Sequence, residues 1–121
     1  MRNIPFTPYP DRILPDGFKY PDRYLELSKG IDVPEKLIWE FEDTENEEIS
    51  RLAWQNSKKR GENLIPFAQE RDYKAYFDGN DTTGDPGVIV IDLGNTENTY
   101  YRENFAAWYQ DALEDTEKYM R

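Results

Sequence analysis

Alternation of apolar and polar residues is the main pattern in this chain, and it predicts strands with one buried side. The pattern occurs at residues 36–42 and 73–78, and residues 88–93 carry the strongest strand signal in the chain. In the first of these segments Leu37, Trp39 and Phe41 fall on one side. An apolar segment at 64–68 predicts another strand, and its Pro66 predicts an edge position or a bulge, because proline cannot donate to a sheet. Since polar turns separate these segments, the simplest arrangement is an antiparallel meander.

Helical periodicity and helix-capping residues predict helices on both sides of the first alternating segment. A short helix is predicted from about Pro21, which suits the first helical position, to a stop at Gly30. Thr44 and Glu47 have the spacing of a capping box, so a second helix is predicted over residues 45–58.

A third helix is predicted near the end of the chain, and a proline-rich arm at its beginning. Asn104 is the predicted cap of this helix, which runs to about Lys118 with one apolar face formed by Phe105, Trp108, Tyr109, Ala112 and Leu113. Prolines recur through residues 1–20 and disfavour helix, so an extended arm docked on the surface is expected there. The whole pattern predicts one α+β domain over residues 1–121, with a central, mostly antiparallel sheet and packed helices.

The charge balance sets the sign of any partner that is attracted over long range. The 121 residues carry 25 carboxylates and 15 basic residues, a formal net charge of −10. Nucleic acids and anionic membranes are disfavoured partners, because binding to phosphates requires clustered cations. A basic protein partner is favoured, although an acidic surface also simply keeps a protein soluble.

No stretch of the sequence has the length and apolar character of a membrane span. The longest continuous apolar run is residues 88–91, far short of the roughly 18 residues that a span requires. The N-terminus lacks the apolar core and the small-residue cleavage site of a signal peptide. We therefore expect a cytoplasmic protein, and the lack of cysteine is consistent with a reducing compartment.

The residue types present exclude most familiar catalytic and cofactor sites. Histidine and cysteine do not occur, so the chain cannot build a Ser-His-Asp or Cys-His nucleophile, or an ordinary zinc site. Neither of the two commonest glycine-rich nucleotide-binding motifs occurs. We therefore expect a protein that is not an enzyme and that holds no cofactor.

Carboxylate chemistry leaves two alternatives open. Residues 78–85 resemble a calcium loop in composition, but Thr83 replaces the turn glycine of an EF-hand and Ile89 its bidentate glutamate, which favours a solvated hairpin loop. An acid-catalysed hydrolase would need two carboxylates facing one cleft, and a sequence cannot locate a cleft.

A dense group of acids marks the expected partner-binding surface. It comprises Glu40, Glu42, Asp43, Glu45, Glu47 and Glu48, with no basic residue among them. Such a group speeds the capture of a basic partner, although acids at a helix N-terminus also favour the helix dipole. Trp54 lies off the apolar stripe of the second helix, so it is a candidate interface anchor or a residue at the margin of the core.

The order of several segments resembles the SUKH superfamily, which includes yeast cell-wall-assembly regulators and many bacterial immunity proteins. The segments are Tyr24-Leu25-Glu26-Leu27 in the Pro-started helix, residues 64–68, residues 73–78, Gly84-Asp85-Pro86 leading into 88–92, and Asn104-Phe105 at the last helix. The resemblance covers about residues 20–115. The long proline-rich start and the approach to the last helix at residues 100–103 depart from the family pattern.

The resemblance implies a sheet with packed helices and a binding role without catalytic residues. Bacterial members commonly bind and neutralise a toxin, often a nuclease. The leading hypothesis is therefore an immunity protein whose acidic face covers the basic groove of a cognate toxin. The alternative is a housekeeping adaptor in cell-envelope or signalling assemblies.

Overall fold

The computed structural model describes residues 5–10, 14–42 and 63–119. The helices within these ranges are α1 (Asp22–Ser28) and α2 (Phe105–Tyr119). The strands are β1 (Glu40–Phe41), β2 (Leu64–Glu70), β3 (Tyr73–Asp78), β4 (Val88–Asp92) and β5 (Thr99–Arg102). No helix in this part of the chain is both long enough and apolar enough to cross a membrane. The predicted helix over 45–58 lies outside the described residues.

The five strands form one antiparallel sheet in the order β1-β2-β3-β4-β5, so each strand pairs with its neighbour in the sequence. Together with the two helices, this confirms the predicted α+β class and the predicted antiparallel meander. The strand β5 was not predicted. The sequence marks residues 100–103 only as the approach to the last helix, whereas Thr99–Arg102 pair with β4.

Pro66 lies at a bulge in β2, one of the two positions that the sequence predicted. Pro66 pairs with Tyr76, and the register then shifts so that Ala68 pairs with Ala75. The shift places two consecutive residues, Phe67 and Ala68, in the core, where both are fully buried. The bulge therefore lets a proline occupy an interior strand and adds a phenylalanine to the core.

The strand predicted over residues 36–42 is shorter in the structure, where only Glu40–Phe41 qualify as β1. These two residues pair with Gln69 and Ala68, and β2 ends one residue later at Glu70. Residues 36–38 therefore lie beyond the end of β2 and have no strand to pair with. The backbone N–H of Ile38 donates instead to Thr116 Oγ1 of α2, 3.1 Å away.

Both helices pack against the same face of the sheet through aromatic side chains. Phe67 stacks on Phe77 with ring centres 4.1 Å apart, and Trp108 of α2 meets the Phe67 ring edge to face at 4.8 Å. Tyr24 of α1 contacts Phe77 at 5.2 Å. Edge-to-face and stacked rings at these distances add to the hydrophobic gain of burial. The core therefore lies between the helices and one side of the sheet.

The residues Asn104 and Pro21 precede the two helices and mark where each helix begins. Asn104 Oδ1 accepts a hydrogen bond from Ala107 N at 2.9 Å, which confirms the predicted cap of α2. The buried face of α2 consists of Phe105, Trp108, Ala112 and Thr116, while Tyr109 and Leu113 are half-buried. Pro21 lies one position earlier than predicted: it is the residue before α1, with φ −61° and ψ 143°.

Aromatic residues of the N-terminal segment are buried against α1, β1 and β3, although its described part forms neither helix nor strand. The buried side chains are those of Phe6, Tyr9, Phe18 and Tyr20. The Phe6 ring stacks on Phe41 at 4.7 Å, and Phe6 N donates to Ser28 O at 3.0 Å. This segment therefore completes the core on the helix side of the sheet.

Candidate functional site

The sheet has an outer face, defined here as the side away from α1 and α2. Strand alternation and register place two rows of side chains on it. One row is Glu40, Gln69, Lys74, Ile91 and Thr99, and the other is Pro66, Tyr76, Ile89 and Tyr101. The outer face therefore carries charged residues toward β1 and apolar residues toward β5.

Toward β5 the outer face is partly exposed to solvent, whereas Pro66 and Tyr76 in its middle are buried. We call Ile89, Ile91, Leu93, Thr99 and Tyr101 the outer patch. Tyr101 is 68% exposed and Leu93 is 48% exposed, and the patch lines an open cavity of about 500 Å³. Exposed aromatic and aliphatic residues grouped around a concavity are typical of protein interfaces.

Acidic residues dominate the chain segment that carries this patch. Residues 72–103 contain seven carboxylates and two basic residues, Lys74 and Arg102. Both basic residues form ion pairs with acids outside this segment: Lys74 Nζ lies 3.0 Å from Glu42 Oε1, and Arg102 pairs with Asp111 of α2. Their positive charges are thus balanced locally, and the segment that carries the outer patch is acidic overall.

Two of the predicted partner-binding residues lie at the β1 end of the outer face. Glu40 is exposed and has no ion-pair partner among the described residues. Glu42 is half-buried, and the Lys74 ammonium, 3.0 Å from its Oε1, balances its charge. Glu40 therefore contributes more to the external field than Glu42 does. The remaining predicted residues lie outside the described ranges: Asp43, Glu45, Glu47, Glu48 and Trp54.

The outer patch was not identified from the sequence, although one signal for it was present. Residues 88–91 are apolar without interruption, and Val88 and Val90 face the core while Ile89 and Ile91 face outward. A continuous apolar run indicates that a strand has apolar contacts on both sides. The outward isoleucines were therefore predictable as a second apolar surface.

The acidic loop at residues 78–85 uses its carboxylates for its own hydrogen bonds. Asp81 accepts hydrogen bonds from Thr83 N, from the Thr83 hydroxyl and from Gly87 N. The hydrogen bond from the Thr83 hydroxyl is the largest cause of a pKa of Asp81 below its usual value. Among the described residues, no three acidic side chains lie close enough together to hold a metal ion.

The chain matches no protein-family model, no curated protein and no solved structure. The resemblance to the SUKH superfamily therefore remains a prediction from the sequence. A functional proposal has to rest on the outer patch and on the charges around it.

Proposed function

We propose that this chain is a protein-binding domain without catalytic activity, an immunity protein of the SUKH kind that binds and neutralises a basic toxin. The observation that carries the proposal is the outer patch, an exposed apolar surface within an acidic stretch of chain. An antiparallel sheet with helices packed against it is also the arrangement that the family resemblance implies.

The chemistry of a nuclease makes it a suitable target. A nuclease holds phosphates with clustered basic residues, and a surface rich in carboxylates competes for the same cations. Long-range attraction between opposite charges raises the association rate, while a buried aromatic anchor slows dissociation. Tyr101 is placed to act as such an anchor, because it is the most exposed of the large apolar residues in the described chain.

Replacement of Tyr101 by alanine is expected to weaken toxin binding at least tenfold, mainly through faster dissociation. An interface anchor of this type contributes about 2 kcal/mol. The measurement is surface plasmon resonance against the product of the neighbouring gene, after co-expression has established that the chain rescues growth from that product.

The matched control is Tyr119→Ala, which removes an exposed tyrosine from the end of α2. Equal affinities for the two variants would exclude the outer patch as the interface. A neighbouring gene product that is not toxic, or that the chain fails to bind, would exclude the immunity role and favour the housekeeping adaptor.

Reversal of the charge at Glu40 is expected to slow association about threefold to tenfold at low salt, with little change in dissociation. Glu40 is an exposed acid on the outer face and has no ion-pair partner in the described chain, so Glu40→Lys removes negative potential from the β1 end of the face that carries the patch. Stopped-flow mixing with the toxin over a range of salt concentrations measures the effect.

Glu114→Lys is the control for net charge, because Glu114 is exposed on α2, on the opposite side of the sheet. The two variants have the same overall charge, so a difference between them reports only the local field. If both variants slow association equally, the attraction comes from the whole molecule and not from the outer face.

A further inference from the structure

A second cavity, of about 290 Å³, lies on the helix side of the sheet at the end where β3 begins. Its lining combines aromatic rings with carboxylates: Trp39, Tyr73, Tyr100, Glu70 and Asp115, with Asn98 at the side. The volume is at the lower limit for small-molecule sites, so it suits one long side chain better than a whole ligand. Rings and carboxylates together favour a cation.

The negative charge of Asp115 affects the pKa of Tyr100, one of the aromatic residues that line the cavity. Burial is the main cause that raises the pKa of Tyr100, and the negative charges of Asp115 and Asp111 act in the same direction. Arg102 acts in the opposite direction. Asp115 itself is exposed and has no ion-pair partner among the residues that the structure describes.

One helical turn earlier on α2, an aspartate and a tyrosine already bind an arginine of the chain itself. The Arg102 guanidinium lies 4.7 Å from the centre of the Tyr100 ring and pairs with Asp111. Asp115 follows Asp111 by four residues on α2, so the two carboxylates lie on the same face of the helix. The cavity therefore repeats the combination of aspartate and tyrosine that binds Arg102.

A similar arrangement flanks the other side of the cavity. Arg71 Nε lies 3.3 Å from Glu70 Oε1, and the Arg71 guanidinium lies 5.5 Å from the centre of the Tyr119 ring. Two arginines of the chain thus use an acid and a tyrosine next to the cavity. Between them, the Asp115 carboxylate and the rings of Trp39 and Tyr73 face the open space.

We propose that this cavity is a binding pocket for an arginine side chain of the partner, a proposal that rests on the proposed function for the identity of that partner. A guanidinium is planar, stacks on aromatic faces and forms paired hydrogen bonds with a carboxylate. Lysine has a compact, strongly hydrated ammonium and gains less from ring stacking. The aromatic walls therefore select arginine over lysine.

The pocket and the outer patch lie on either side of the β4–β5 loop. Leu93, at one end of this loop, belongs to the patch, and its N–H donates to Asp72 O at 2.8 Å. Asn98, at the other end, lines the pocket and donates to the Tyr73 hydroxyl at 3.3 Å. A partner that covers the outer patch and reaches around this loop can insert an arginine into the pocket.

The test is a titration of the full chain with N-acetyl-arginine methylamide, followed by NMR at the Trp39 indole and the Asn98 side-chain amide. We expect saturable shifts with a Kd on the order of 1 to 10 mM, typical of one cation–aromatic contact plus one ion pair. The citrulline analogue has nearly the same shape without the charge, and it should bind at least fivefold more weakly. Shifts that do not saturate, or equal binding of the two probes, would overturn the proposal.

Two variants at neighbouring positions test whether arginine binding depends on the pocket or only on the overall negative charge of α2. Asp115→Asn should weaken arginine binding about threefold to tenfold, whereas Glu114→Gln should leave it unchanged, because Glu114 does not line the pocket. Both substitutions remove one charge from an exposed position of the same helix. Equal effects of the two variants would contradict a defined pocket.

The same variants, tested against the toxin, distinguish failure of this proposal from failure of the proposed function. Toxin binding that is insensitive to Asp115→Asn, together with no response to the arginine probe, would refute the pocket and leave the immunity role standing. Binding of the probe without binding of any toxin would refute the immunity role and leave the pocket standing.

Discussion

Replacement of Phe67 by alanine is expected to reduce the free energy of unfolding by about 3 to 5 kcal/mol, the usual cost of a large cavity in a core. Phe67 is fully buried, stacks on Phe77 and meets Trp108 edge to face. Because it lies at the bulge of β2, its ring touches the sheet and α2 at once. The measurement is urea unfolding followed by near-ultraviolet circular dichroism.

Two further variants keep this prediction testable if the alanine variant does not fold. Phe67→Leu retains most of the volume and should cost less than the alanine substitution, on the order of 1 to 2 kcal/mol. Tyr119→Ala removes a ring that is 60% exposed and should cost less than about 1 kcal/mol. An alanine variant at Phe67 as stable as the one at Tyr119 would show that the aromatic cluster does not hold the helices on the sheet.

The elements predicted well from the sequence are those whose pattern is local. The strands β2 and β4 carry apolar runs, β3 carries alternation and α2 carries helical periodicity, so each can be recognised without its neighbours. Pro66 also restricted its own position to a sheet edge or a bulge, because proline cannot donate to a sheet, and the structure has the bulge.

The elements predicted poorly are those whose extent is decided by a partner strand. The alternation at residues 36–42 extends past the end of β2, so residues 36–38 have no strand to pair with. The strand β5 is short, and its Tyr101 faces solvent, so its apolar pattern is weak. Pairing with β4, and not an apolar pattern of its own, makes it a strand.

The candidate site shows the same division between local and distant causes. The exposed acid Glu40 could be predicted from composition alone, because a solvated carboxylate needs no partner. The pairing of Glu42 with Lys74 could not, since it depends on how β1 and β3 are placed across β2. The arginine pocket draws on three strands, two connecting segments and α2, which no sequence spacing brings together.

Substitution of Gly79 by alanine is expected to cost about 2 to 4 kcal/mol, because there is no room for a methyl group beside the backbone. Gly79 follows β3 directly, and its N–H donates to Asn63 O at 2.7 Å. A Cβ at this position would lie 2.5 Å from the same oxygen, well inside contact distance. The backbone at residue 79 would have to move away from Asn63, which directly precedes β2. The hydrogen bond from the N–H of residue 79 to Asn63 O would then be lost, which adds to the cost.

Gly87→Ala is the matched control for this loop, since Gly79 and Gly87 lie at its two ends. A Cβ on Gly87 would meet its nearest atom, Arg102 O, at 3.7 Å, which is an ordinary contact. Alanine also restricts the unfolded chain, so this variant should be within about 1 kcal/mol of wild type. Thermal unfolding of both variants compares them directly, and a Gly79→Ala protein as stable as Gly87→Ala would contradict the close approach of the backbone at Asn63. The expected difference depends on steric contact alone, because neither glycine has a positive φ.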